Sequence, residues 1–178
     1  MDYTEVLDFW FAEDVQPKWF VQSEIFDQEI RDRFFKMYQA AFDSQLEGWL
    51  DTVQGYLAIV ILLDQFPRNM FRNEGQAFMS DSLALHYARE ALSRFELEEL
   101  SQIEQVFLCM PFMHSESLAV QEESLKVFER IGRERNIRYA KAHYEVIAQF
   151  GRFPFRNQAL NRRSTQAEQM YLATHKNF

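Results

Sequence analysis

Apolar residues recur along the chain at spacings of three and four, the period of a helix with one buried face. Val6, Leu7, Phe9, Trp10 and Phe11 crowd a short first helix opened by Thr4, and Pro17 interrupts before a longer one. That second helix starts near Ser23 and carries Phe26, Ile30, Phe34, Met37, Tyr38 and Ala41 on one face. After a break at Gly48, Asp51 and Gln54 form a capping-box pattern for an apolar helix from Val53 to Asp64, which Pro67 is expected to end. Ser80 or Asp81 caps a helix bearing Leu83, Leu85, Tyr87, Ala88, Ala91 and Leu92. Ser101 with Glu104 makes a second capping box, and the helix it opens should bend or stop around Pro111. Helical spacing resumes from Leu118 to a C-terminal cap at Gly132, and again from about Asn136 to Phe150, before Gly151. Thr165 with Glu168 opens the last helix.

No segment alternates apolar and polar residues convincingly enough to argue for a sheet, and no Asn-Gly or Asp-Gly hairpin turn occurs, so the fold class is all-α. Short connections favour antiparallel helical hairpins, packed as a compact bundle or stacked as a short solenoid. Residues 1–178 read as a single domain. Eighteen phenylalanines predict an aromatic interior, since each buried ring removes a large apolar area from water.

The net charge of −8 argues against nucleic acid or an anionic membrane as partner of the whole molecule. Cys109 lies in the apolar run Val106 to Met110 and reads as a buried thiol in a reducing compartment. No basic, apolar leader opens the chain, and the run Tyr56 to Leu63 is too short to cross a bilayer, so the expected location is the cytoplasm.

Two distant stretches read almost alike: Gln65-Phe66-Pro67-Arg68-Asn69-Met70-Phe71-Arg72-Asn73 and Gln149-Phe150-Gly151-Arg152-Phe153-Pro154-Phe155-Arg156-Asn157. Six of their nine positions are identical, and the stretches stand 84 positions apart. The doubling predicts two arginine pairs at similar places in the fold and favours pseudo-symmetric stacking. No acid occurs between Glu145 and Glu168, where Arg152, Arg156, Arg162 and Arg163 form a basic patch in an acidic chain. Guanidinium forks match carboxylate or phosphate, so converging arginines suit an anionic small molecule or peptide. Alternatively, Arg68, Arg72, Arg152 and Arg156 hold helix ends and nearby acids such as Asp64 and Glu145.

In Pro111-Phe112-Met113-His114-Ser115-Glu116, a proline-bent helix can set His114 beside Glu116 for general acid–base work. The plainer reading makes Ser115 an N-cap and Glu116 an early helix acid. His143 and Glu145, two positions apart, do not share a helix face, so no local metal pair is expected, nor any cofactor. Glycine-rich phosphate loops, Cys-x-x-Cys, His-Glu-x-x-His and Gly-x-Ser-x-Gly are all absent from the sequence.

Taken together, Val6-Leu7-Asp8-Phe9-Trp10-Phe11, Asp64 to Asn69, Pro111 to Glu116 and Phe150 to Asn157 resemble the signature blocks of the bacterial family called domain of unknown function 924. The resemblance spans nearly the whole chain and implies a tetratricopeptide-like helical fold, with no activity attached. Phe155 stands where that family commonly has histidine, and Asn161 and Gln166 stand near positions where it more often has glycine and proline. Asp64, Arg68, Asn69, His114, Glu116, Arg152, Arg156 and Asn157 match its polar positions and are the candidates for one cleft.

Three readings follow. In the first, Arg68, Asn69, Arg152, Arg156 and Asn157 form a binding module for an anionic ligand. The second is a hydrolase-type enzyme with His114 as base, Glu116 or Asp64 orienting it, and arginines stabilising an oxyanion. The third is a structural polar network on a protein-interaction scaffold.

Overall fold

The computed structural model describes residues 1–175. Among the described residues nine α-helices run in order: α1 Tyr3–Trp10, α2 Glu24–Phe42, α3 Val53–Val60, α4 Phe66–Met70, α5 Asp81–Arg94, α6 Gln102–Met113, α7 Leu118–Ile131, α8 Glu134–Phe150 and α9 Gln166–Thr174. Short 3-10 turns fill several connections, and no strand occurs among the described residues. None of the described helices is long and apolar enough to cross a membrane.

Side-chain chemistry starts most of these helices. Ser23 Oγ accepts the Phe26 N–H, and the capping boxes of Ser101 with Glu104 and Thr165 with Glu168 both form. Gly132 and Gly151 end α7 and α8 at φ of 75° and 68°, a backbone region that costs a glycine nothing.

Several boundaries differ from the sequence reading. Asp2 rather than Thr4 caps α1, its carboxylate accepting the Thr4 N–H. Thr52 rather than Asp51 caps α3, by accepting the Gly55 N–H at 3.1 Å. Ser117, not Ser115, stands at the N-cap of α7, and the Ser115 hydroxyl instead accepts the Ser117 N–H. Helix α6 passes through Pro111 for two more residues, since a proline in a last turn forfeits a single backbone bond.

The largest departure is at Pro67, which does not end its helix. The chain leaves α3 through a π-helical turn, Ile61–Gln65, and enters α4 with Pro67 in its first turn, where a missing N–H is tolerated. A proline at 67 deprives the Leu63 carbonyl of its α-helical donor. The Ser80 hydroxyl replaces it at 2.5 Å.

Helix α3 and the π turn form the centre of the molecule. Tyr56 to Leu63 are buried almost completely, and α3 packs against α1, α5 and α6. Around them Trp10, Phe34, Phe66 and Phe107 interlock, with the Trp10 ring 5.4 Å from Phe66 and 5.6 Å from Phe107. Sequential pairs α6 with α7 and α7 with α8 pack beside this core. A smaller apolar cluster of Val146, Ile147 and Phe153, joined by Phe150 and Tyr171, holds the C-terminal segment. The π turn therefore sets its polar residues, Asp64 and Gln65, inside the buried core.

Candidate functional site

Asp64 is a fully buried carboxylate on the π turn. Inserted turns of this kind interrupt regular helices where a side chain has to be aimed, and they recur at functional sites. Asp64 Oδ1 meets His114 Nδ1 at 2.7 Å, and Oδ2 accepts the Gln65 amide at 2.6 Å. Arg68 donates to the Asp64 carbonyl and brings Nη1 to 3.3 Å from Oδ1. Burial alone pushes the Asp64 carboxyl up, but Arg68 and His114 together outweigh it and hold the group well below the usual carboxylate range.

His114 follows the last residue of α6, beyond Pro111. Burial lowers its pKa, against the attraction of Asp64 and with the help of Arg68. The ring is thus neutral near pH 7 beside an ionised carboxylate. An ionised carboxylate only accepts, so the shared proton sits on Nδ1 and Nε2 is the basic nitrogen. The His114 side chain keeps 15% of its surface exposed, against 0% for Asp64.

Two arginines complete the cluster, one from each repeated turn. Arg68 Nη2 and Arg156 Nη1 donate to the same oxygen, Asp81 Oδ2, at 3.1 and 3.0 Å. Arg156 Nη2 donates to the His114 carbonyl at 2.9 Å. The Arg156 guanidinium carbon lies 4.5 Å from the Phe78 ring centre and 4.7 Å from that of Phe153. From α8, the His143 ring comes within 6.2 Å of the His114 ring, centre to centre, while its Nδ1 lies 2.7 Å from the Tyr139 carbonyl. Burial, reinforced by His114 once that ring is protonated, pushes His143 down to about 3.

The other sequence candidates go elsewhere. Glu116 does not bond to this proton pair: its carboxylate accepts the Phe153 N–H at 2.7 Å and two Arg162 bonds at 2.7 and 2.9 Å. Asn157 belongs to that same neighbouring network, accepting from Arg162 and donating to Ser164. Asn69 donates to Asp27 at 2.8 Å, and Arg72 forks onto the same carboxylate at 2.6 and 2.7 Å. Arg152 is committed to Glu168, at 2.6 and 2.8 Å, beside a surface groove of about 460 Å³.

So Asp64, Arg68, His114 and Arg156 come together, Glu116 and Asn157 form an adjoining network, and Asn69 and Arg152 join neither. The repeat does not superpose two arginine pairs. Its useful register carries a one-residue gap: Phe66-Pro67-Arg68-Asn69 against Phe153-Pro154-Phe155-Arg156-Asn157, which matches Arg68 to Arg156. Each motif places its proline at the first turn of a short helix and sends the following arginine to Asp81. Sequence reasoning took Asp81 only as a helix cap and set His143 aside; the gapped alignment was the available signal for the arginines, and nothing local marks Asp81.

Comparison with known proteins places the chain beside others of the same architecture. A family model described as "Bacterial protein of unknown function (DUF924)" matches residues 6–176. The chain is also similar to the solved structure of a protein of unknown function from Agrobacterium tumefaciens, at 35% identity, 97% coverage of each chain and a TM-score of 0.91. No curated protein matches the chain.

Proposed function

The chain belongs to the bacterial DUF924 family, and from the geometry of its buried acid–histidine pair we propose that it is a hydrolase-type enzyme. His114 is the general base and Asp64 the residue that orients it. The observation that carries this reading is the 2.7 Å contact between His114 Nδ1 and a wholly buried Asp64 carboxylate, with the imidazole still partly open to solvent.

A carboxylate on Nδ1 selects the tautomer whose Nε2 lone pair is basic, and it stabilises the imidazolium that forms when that nitrogen takes a proton. Nε2 removes a proton from water as its oxygen attacks an acyl carbon. The same proton then passes to the leaving group as the bond to it breaks. Arg68 and Arg156 balance Asp64 and Asp81 in charge, so the resting cluster is neutral with neutral histidines, and a developing oxyanion would be matched by the His114 imidazolium. This assignment gives Asp64 the role that sequence reasoning shared between Glu116 and Asp64.

The reading is tested by hydrolysis of a panel of esters and amides, including N-acyl amino acids, by wild type, His114→Gln and Asp64→Asn. Turnover by wild type that drops roughly 10²–10⁴-fold in His114→Gln supports it, the range expected of a general base. Asp64→Asn should also invert the His114 tautomer, placing the proton on Nε2 by nitrogen-15 NMR. Lack of turnover by wild type across the panel, or turnover indifferent to His114, returns the cluster to a structural network.

A further inference from the structure

Asp81 sits where a bound anion would. Its Oδ2 takes donors from Arg68 and Arg156, and each guanidinium also has anchors other than Asp81. Arg68 is held from behind by the carbonyl of Asp64, and its Nη1 stands 3.3 Å from the Asp64 carboxylate. Arg156 is held by the His114 carbonyl and lies against the rings of Phe78 and Phe153. Donors fixed by third parties make a preorganised anion cradle, which spends little free energy on ordering when it is filled.

Asp81 fills that cradle incompletely. Its Oδ1 is buried and lies 2.9 Å from Arg68 Nη1, yet it accepts no aligned hydrogen bond. Asp81 is also the first residue of α5, so its carboxylate remains next to a helix N-terminus, where negative charge is favoured, whether it points inward or out.

We infer that the space occupied by the Asp81 carboxylate is an oxyanion subsite, held by Asp81 when the protein is free and by the carboxylate of a substrate when one is bound. Only the claim that the scissile bond then lies toward His114 rests on the hydrolytic reading above. Charge selects the class of ligand. Exchanging one carboxylate for another leaves the cluster neutral, whereas a dianionic phosphate would add negative charge beside buried Asp64. The planar fork of each guanidinium also suits a carboxylate with two in-plane oxygens.

The test titrates formate, acetate, phosphate and chloride, at matched ionic strength, into wild type, Asp81→Ala and Asp81→Ala/Arg156→Gln. Thermal midpoints and the side-chain nitrogen-15 signals of Arg68 and Arg156 are followed. Saturable shifts with formate and acetate are expected in wild type, at least tenfold tighter in Asp81→Ala, where the internal competitor is gone, and abolished in the double variant. A response to phosphate stronger than to the carboxylates overturns the ligand class. An Asp81→Ala response with none in wild type overturns the exchange and makes Asp81 a permanent occupant. If Asp81→Ala does not fold, the wild-type titration decides alone, since no saturable shift of Arg156 signals there overturns the inference. Turnover is not among these readouts, so this inference and the hydrolytic reading fail separately.

Discussion

His143, which is buried, and His114, which is mostly buried, are imidazoles that have to gain protons on unfolding in mild acid. Burial holds both below the ordinary histidine value, His143 down to about 3. Below about pH 6.5 the unfolded chain therefore binds more protons than the folded one, and stability falls as pH falls. Their contribution is complete above that value and is lost progressively toward the folded-state values. One fully shifted histidine costs about 2 kcal/mol between pH 6.5 and 5. Asp64 adds a second, lower window: its depressed carboxyl stabilises the fold above the usual carboxylate range and loses that effect only in stronger acid. Denaturant midpoints measured from pH 7.5 to 5 should decline in wild type and decline less in His143→Gln. A flat wild-type profile would mean that both rings are protonated in the fold. Residue identity made Asp64, His114 and the arginines legible as candidates, because few side chains do acid–base or anion chemistry. Burial is what gives His143 its behaviour, and spacing along one helix carries no information about it.

At the scale of elements, caps completed within four residues were readable, although Thr52 displaces the box expected at Asp51. Ser23, Ser101 with Glu104, Thr165 with Glu168, Gly132 and Gly151 all act where the pattern put them. Pro67 was misread for the opposite reason. A proline ends a helix only when the carbonyl it deprives has no other donor, and here the donor is Ser80, 17 positions along the chain from Leu63. The π turn that carries Asp64 thus depends on a hydroxyl outside its own helix. Ser80→Ala leaves the Leu63 carbonyl buried and unsatisfied, which costs roughly 1–3 kcal/mol. Chemical denaturation should show that loss, and the Asp64–His114 proton signal should broaden or shift as the turn relaxes. Unchanged stability would mean that water reaches the carbonyl and that the turn stands by itself.

Across the whole molecule, the question that local pattern could not answer is which turns meet. Arg68 and Arg156 converge on α5, Arg72 turns back to α2, and Arg152 reaches forward to α9, so four arginines of one motif serve three contacts. Glu116 supplies a fourth connection: through Phe153 and Arg162 it ties the turn after α6 to the segment leading into α9. Arg162 extends the tie to the Phe153 carbonyl and to Asn157, which itself reaches Ser164. Burial raises the Glu116 carboxyl, but the Arg162 bonds and the Phe153 N–H outweigh it and keep it ionised. Glu116→Gln removes the charge while keeping the shape, and the loss of charge-assisted bonds at a partly exposed site costs about 2 kcal/mol. Hydrogen exchange at Phe153 should accelerate, because its N–H loses a charged acceptor. The His114 tautomer should stay as in wild type, because the carboxylate bound to that ring is Asp64, in the core. A tautomer that changes with Glu116 would instead place Glu116 in the proton path, as the His-x-Glu spacing first suggested, and would demote Asp64 to an internal counter-ion of Arg68.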